Sequence, residues 1–155
     1  MLIGGDWITG EASVPHAVIN PATGVPVMNL RPASTSQAAL AVAAARHAFD
    51  HGPWRHLGAV KRGRMLHAVA DQIEDQCERI AQCSLQELGQ PVAATRGAVR
   101  AAADLWRRYA DIAGSYQRFE DRPVDARRKA RVVREPVGVV LAIMAVALLK
   151  IVRVL

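Results

Sequence analysis

The chain has 155 residues, 51% of them apolar, with a net charge of +6 and a pI of about 10.1. This length suits one domain, and the apolar fraction excludes a disordered protein. The excess charge is concentrated in residues 122–134, where no aromatic side chain is interleaved to stack on bases, so the composition argues against a nucleic-acid partner.

The cysteine content and the absence of a signal sequence predict a cytoplasmic protein. Cys77 and Cys83 have neither C-x-x-C spacing nor a partner histidine at zinc spacing, and no basic segment followed by an apolar run opens the chain. The uncharged run from Val137 to Leu149 has 13 residues, which is shorter than the roughly 20 that a membrane-spanning helix needs. We therefore expect no membrane partner.

Residues 1–33 are expected to form short strands and turns. The apolar run from Leu2 to Ile8 is interrupted by Gly4-Gly5, a turn signal. Asn20-Pro21 and Thr23-Gly24 supply turn chemistry between the apolar segments 17–19 and 26–28.

Three long helices are predicted in residues 34–119. The first begins at Ser34 to Ser36, where Ser34 and Gln37 fit a capping box, and runs to about Asp50 before Gly52-Pro53. The second runs from about Val60 to Leu88, and Gly89 and Pro91 end it. Its apolar face follows steps of three and four residues, with Cys77 acting as a small hydrophobic residue: Leu66, Val69, Ile73, Cys77, Ile80 and Ser84.

The third helix has the most regular pattern. Steps of three and four residues connect one stripe without exception: Val92, Thr95, Val99, Ala102, Trp106, Tyr109, Ala113 and Tyr116. This spacing predicts a face directed at the core, with Trp106 and Tyr109 as its anchors. After it, Arg131 to Arg134 predicts one strand of a hairpin, and a buried strand is expected through Val137 to Ile143.

The order of these elements and five motifs resemble the N-terminal portion of the aldehyde dehydrogenase superfamily. The resemblance covers about residues 2–144. Each motif is unspecific alone, but their order and gaps are hard to obtain by chance. The matching segments are Gly4-Gly5-Asp6-Trp7, Asn20-Pro21-Ala22-Thr23-Gly24, residues 43–49 with Gly52-Pro53-Trp54, Glu87-Leu88-Gly89-Gln90-Pro91 and Glu135-Pro136-Val137-Gly138-Val139-Val140.

The resemblance implies an α/β fold of which these 155 residues are a single, partial, mostly helical domain. Its expected parts are a strand segment (1–33), helices (34–119), a hairpin with the first strand towards the cofactor domain (120–144) and a divergent tail (145–155). The family oxidises aldehydes to carboxylic acids with NAD or NADP. It uses a cysteine thiolate, an oxyanion-binding asparagine and a glutamate that activates water.

Few of the family's functional residues have a counterpart here. The positions that match its Pro-Trp-Asn triplet are Ala145, Val146 and Ala147, and an alanine side chain cannot donate a hydrogen bond to an oxyanion. The resemblance places the catalytic cysteine, the glutamate and the glycine-rich cofactor turn beyond residue 155. We therefore expect no catalytic residue in this chain, no activity alone and no NAD binding by this chain alone.

The resemblance implies two weaker sites. The backbone of Ile143 and Met144 matches the lining of the nicotinamide end of the cofactor pocket. The carbonyl of Ile19 and the carboxylate of Glu87 match a structural cation site that some members have.

The end of the chain leaves its origin and role open. The match collapses after Ile143, which is expected for a frameshift, a deletion or gene decay. One interpretation is a truncated, inert aldehyde dehydrogenase. The alternative is a non-catalytic interaction module that pairs with a full-length relative, or with itself, through an exposed strand edge and apolar helix faces.

Overall fold

A computed structural model of the protein describes residues 1–142. The chain opens with two antiparallel hairpins, as the turn signals predict. In the first, β1 (Leu2–Ile3) pairs with β2 (Asp6–Trp7). Gly4 and Gly5 make its turn with φ values of 63° and 101°, a region that favours glycine.

The second hairpin pairs β3 (His16–Ile19) with β4 (Pro26–Leu30). Its turn is built by Asn20, whose side-chain oxygen accepts hydrogen bonds from the backbone N–H groups of Ala22 (2.9 Å) and Thr23 (3.3 Å). This is the local bonding that favours Asn in turns, and it confirms the predicted turn.

Helix α1 (Thr35–His51) starts at the predicted capping box. The Ser34 hydroxyl accepts from the Gln37 backbone N–H, and the Gln37 side chain accepts from the Ser34 N–H. Gln37 is also the buried residue of this helix, because its side chain reaches the preceding segment. It donates to the Thr9 carbonyl (2.8 Å) and accepts from the Glu11 N–H (3.0 Å). A 3₁₀ turn, Pro53–His56, follows.

The predicted second helix is divided, which corrects the expectation of three long helices to four. α2 (Ala59–Asp75) and α3 (Cys77–Leu88) meet at Gln76, whose φ of −89° and ψ of 8° leave the helical region. No proline or glycine marks this break. After the break, α3 buries Ile80, Ala81 and Ser84 and contacts α4. α3 ends as predicted, at Gly89 with a φ of 66°.

Helix α4 (Val92–Ser115) is confirmed in extent, but its predicted stripe is only partly buried. Thr95, Val99, Ala103 and Ala110 face the core, and Trp106 packs against them at the edge. Tyr109 is 59% exposed, so it is not the core anchor that the spacing predicted. An α-helix turns 100° per residue, so a stripe with an average step below 3.6 residues winds around it, here by roughly 120° over the helix.

The core lies between α2, α3 and α4. Its cluster is Ala70, Ile73, Ile80, Val99 and Ala103, with Val69, Cys77, Ala102 and Trp106 packed against it. α2 and α4 approach closely at Gly63. A methyl group on this residue would lie only 2.9 Å from the Ala110 carbonyl oxygen, so the contact requires glycine there. The abundance of alanine thus gives close helix contacts and a small core.

The predicted hairpin after α4 is present. β5 (Phe119–Pro123) pairs antiparallel with β6 (Lys129–Val133), which covers most of the predicted strand at 131–134. The predicted buried strand at 137–143 is wrong for residues 137–142, which form no strand. Val137, Val140 and Leu141 are 98%, 79% and 81% exposed. A strand requires a hydrogen-bonded neighbour, and the described residues supply none there. Ile143 lies outside the described residues.

Candidate functional site

The two residues predicted to line a nicotinamide pocket, Ile143 and Met144, lie outside the described residues, as do Ala145, Val146 and Ala147. Any site for a cofactor, a metal or a substrate among residues 1–142 therefore lies elsewhere on their surface.

The segments that carry the predicted cation ligands, Ile19 and Glu87, lie close together. Ile19 ends β3, and the turn after it contacts the end of α3. A methyl group on Gly89 would lie 2.8 Å from the Pro21 ring. Within residues 1–142 no group of three or more His, Cys, Asp or Glu side chains could hold a metal ion. A site built from one carbonyl and one carboxylate would not form such a group, so this pair stays a prediction.

Cys77 does not stand in the setting of a nucleophile. Cys77 and Cys83 are both half-buried in α3. The Cys77 sulfur lies 3.9 Å from the Arg96 carbonyl on α4, and its side chain packs on the core cluster. A catalytic thiol is activated by a neighbouring base or cation that is exposed to substrate. The position of Cys77 is instead that of the small core residue that the stripe predicted.

The basic hairpin carries its own counter-charges. Glu120 accepts from Arg122 (2.8 Å) and from Arg134 (2.7 Å), and these hydrogen bonds hold the pKa of the Glu120 carboxyl below its usual range. Asp121 is paired in the same way with Arg131 across the two strands. Asp125 accepts from the backbone N–H groups of residues 127 and 128 and so shapes the turn. Several cations that dominate the net charge are therefore partly neutralised locally.

The helices are linked by exposed ion pairs rather than by a catalytic cluster. Arg107 of α4 donates to Asp71 and Glu74 of α2, and Arg96 of α4 holds Glu78 of α3 through two hydrogen bonds of 2.8 and 2.9 Å. The Arg96 bonds, helped by Gln82, lower the pKa of Glu78 to about 2. These pairs fix how α2 and α3 lie on α4.

Two grooves mark the surface of the described residues. The larger, about 780 Å³, lies between the β1–β2 hairpin and α1 and is lined mainly by Leu2, Ile3, Leu40 and alanines. The smaller, about 320 Å³, lies between the end of α4 and the last hairpin, where Arg134 is engaged by Glu120. Both are open to solvent. The lining of the first is mostly apolar, with His47 as its one titratable side chain, and the cation of the second is already paired.

One surface feature was missed by the prediction of a single core stripe. Leu105, Tyr109, Ile112 and Tyr116 are 53%, 59%, 43% and 59% exposed, and they form an apolar strip, here called the outer stripe, on α4 and its C-cap residue Tyr116. Its spacing of four, three and four residues is visible in the sequence. The apolar spacing of the outer stripe could therefore be found in the sequence. The sequence does not show, however, that the apolar part of the α4 surface is wider than the face that α2 and α3 cover.

No described helix is long and apolar enough to cross a membrane.

Comparison with known proteins gives a consistent set of relatives. The profile of the aldehyde dehydrogenase family matches residues 7–146. A 4-(hydroxymethyl)benzenesulfonate dehydrogenase from Comamonas testosteroni is 36% identical over 145 residues, which are 92% of this chain and 29% of that protein. A (Z)-2-((N-methylformamido)methylene)-5-hydroxybutyrolactone dehydrogenase from Acinetobacter baylyi is 37% identical over 148 residues, with the same coverage.

Solved structures agree with these relatives. An NAD-dependent aldehyde dehydrogenase from Sinorhizobium meliloti superimposes with a TM-score of 0.80 at 33% identity, over 88% of this chain and 27% of that one. The structure of PnpE in complex with nicotinamide adenine dinucleotide gives 0.72 at 34% identity, over 80% of this chain and 25% of that one. The chain thus spans less than a third of the length of the relatives that it matches.

Proposed function

The chain belongs to the aldehyde dehydrogenase family, and we propose that its 155 residues provide the N-terminal scaffold of that fold without oxidising aldehydes by themselves. The observation that carries the proposal is the setting of the two cysteines. Cys77 is packed against the core and the Arg96 carbonyl, and Cys83 is half-buried in the same helix. Cys77 is therefore not placed as an exposed nucleophile, and Cys83 is only partly accessible from α3.

The cofactor of the complete reaction is proposed to be NAD or NADP. The family supports this, and two relatives are named as NAD-dependent or as an NAD complex. When bound, such a cofactor accepts a hydride from the substrate. The two grooves do not fit it, because the larger offers His47 as its one titratable side chain and Arg134 in the smaller is paired with Glu120. No step of the reaction is therefore assigned to this chain.

An activity assay tests the proposal directly. The purified chain is incubated with NAD or NADP and a panel of aliphatic and aromatic aldehydes, and reduced cofactor is followed by absorbance. The full-length Sinorhizobium meliloti enzyme serves as the positive control. We expect no reduction above the protein-free rate. Turnover that disappears in Cys77→Ala or Cys83→Ala, while the other variant keeps it, would refute the proposal.

A second function is a non-catalytic module that pairs with a full-length relative. The observation in its favour is the amount of exposed surface. Large apolar side chains on more than one helix are open to solvent, among them Leu40 (58%), Val42 (57%) and Tyr109 (59%). Residues 137–142, which form no strand, add the exposed side chains of Val137, Val140 and Leu141 that a partner could cover. Co-expression with a tagged full-length relative tests this function. Recovery of the chain with that relative, but not with an unrelated tagged protein, is expected.

The proposed compartment is the cytoplasm. Two cysteines without C-x-x-C spacing are too few for a secreted disulfide scaffold of this length, which suits a reducing environment. Cell fractionation should recover the chain with cytoplasmic markers, and recovery in the periplasm or in culture medium would contradict this assignment.

A further inference from the structure

Two histidines of α1 form a pair that none of the contacts described above involves. His47 and His51 are four residues apart, and this spacing places two side chains on the same face of a helix, one above the other. Both residues are exposed. Their imidazole rings are stacked, with centroids 4.7 Å apart and planes inclined by 27°. The helix therefore presents two imidazoles side by side to solvent.

The separation of the two rings suits the coordination of one metal ion by both of them. Imidazole nitrogens bond a zinc ion at about 2.0–2.1 Å, so two nitrogens on one ion lie at most roughly 4.2 Å apart. Ring centroids 4.7 Å apart let a nitrogen of each ring come within that limit by rotation about the side-chain bonds. The H-x-x-x-H spacing on a helix is also the one with which zinc proteases hold their metal. Their glutamate base is replaced by Ala48 here, so the pair has the metal ligands of that motif without its hydrolytic base.

The charged groups next to the pair are already engaged. Arg46 is paired with Asp50, and Arg55 donates to the Asp50 carbonyl at 3.2 Å. Because Arg46 holds the Asp50 carboxylate, this group does not serve as a third ligand. Within residues 1–142 no three His, Cys, Asp or Glu side chains are grouped for a metal ion, which agrees with a site of two protein ligands. Water supplies the remaining ligands of an ion bound there.

We propose that His47 and His51 form a two-histidine chelate for a divalent ion of the late transition metals, the class of Ni²⁺, Cu²⁺ and Zn²⁺. Imidazole suits these ions, whereas Mg²⁺ and Ca²⁺ prefer carboxylate, carbonyl and water oxygens. His47 also lines the larger groove, so the ion lies at the rim of that groove. The inference goes beyond the proposed function and does not depend on whether the chain oxidises aldehydes.

The test is isothermal titration calorimetry of Ni²⁺ into the complete chain at pH 7.5. Ni²⁺ is the probe because, unlike Cu²⁺, it does not oxidise cysteine thiols. The tightest site is expected to hold one Ni²⁺ per chain, and Mg²⁺ should not compete for it. His47→Ala and His51→Ala should each raise the dissociation constant about 10-fold or more. The double variant should bind no more weakly than either single variant, because one ring alone no longer chelates.

Two control variants separate this pair from the other histidines. His67→Ala removes an imidazole that pairs with Asp111 across α2 and α4, and it should leave the dissociation constant unchanged. Ala45→His combined with His47→Ala keeps all five histidines but moves one imidazole by roughly 200° around α1. This variant should bind as weakly as His47→Ala alone. The replaced residues of α1 are exposed, so far-UV circular dichroism should show an unchanged fold.

Thermal unfolding supplies an independent readout. Because the chelate needs a helical turn, Ni²⁺ should raise the unfolding temperature of the wild type but not that of His51→Ala. A wild-type chain that binds no Ni²⁺ at 1 mM would overturn the proposal. So would a tight site that His47→Ala keeps, one that His67→Ala removes equally, or an equal rise of the unfolding temperature in His51→Ala.

Discussion

The buried side chain of Gln37 connects the segment before α1 to the helix, and its removal should destabilise the fold. Gln37 is 3% exposed. Its amide donates to the Thr9 carbonyl at 2.8 Å and accepts from the N–H groups of Glu11 and Ser34 at 3.0 and 3.1 Å. Leucine has a similar volume but cannot form these bonds, so Gln37→Leu leaves the polar groups of Thr9 and Glu11 without their partners.

The expected size of the effect follows from those two groups. A polar group that is left unsatisfied when it is buried costs about 1–3 kcal/mol. Thr9 and Glu11 are only partly buried by this contact, so the lower end applies to each of them. We therefore expect Gln37→Leu to lower the free energy of unfolding by about 2–3 kcal/mol. The Ser34 N–H, at the end of the helix, can turn to water and adds little.

Urea unfolding monitored by circular dichroism measures this change, at a concentration low enough to avoid association. The control is Gln86→Leu on the exposed face of α3, which should change the stability by less than about 0.5 kcal/mol. Limited proteolysis should cut residues 9–11 faster in Gln37→Leu than in the control. If both variants unfold at the same urea concentration, the bonds of Gln37 do not hold this segment and the reasoning fails.

Two further predictions concern α4. Trp106 packs at the edge of the core, whereas Tyr109 is 59% exposed. Trp106→Ala should therefore lower the free energy of unfolding by about 2–3 kcal/mol, below the roughly 3–5 kcal/mol of a fully buried ring, and Tyr109→Ala should lower it by less than about 0.5 kcal/mol. Equal losses of stability in thermal or urea unfolding would mean that both side chains are buried, as the spacing predicted. Arg96 lowers the pKa of Glu78 to about 2 from an ordinary value of 4.5, so the pair favours the folded state above pH 4.5, and this contribution is lost as the pH falls towards 2. In Arg96→Gln the pKa of Glu78, followed by NMR titration, should rise towards 4.5, and an unchanged value would show that the pair is not formed in solution.

Several features of this protein are determined by residues that are neighbours in the sequence. The capping box of Ser34 and Gln37, the turn at Asn20 and the helix end at Gly89 are local hydrogen-bond and backbone preferences. Each is complete within a few residues, so the sequence predicts it without knowledge of the rest of the fold. The motifs that indicated the family are largely of the same kind, and the match over residues 7–146 confirms them.

Other features were decided only by contacts between distant residues. The break at Gln76 has no proline or glycine to mark it, and the helix after it, α3, contacts α4. The exposure of Tyr109 depends on how far α2 and α3 cover a stripe that winds around α4. Residues 137–142 have the composition of a buried strand but no neighbour to pair with in the described chain. Helix ends and turns are stabilised by their own residues, whereas burial and strand pairing need a partner that the segment itself cannot supply.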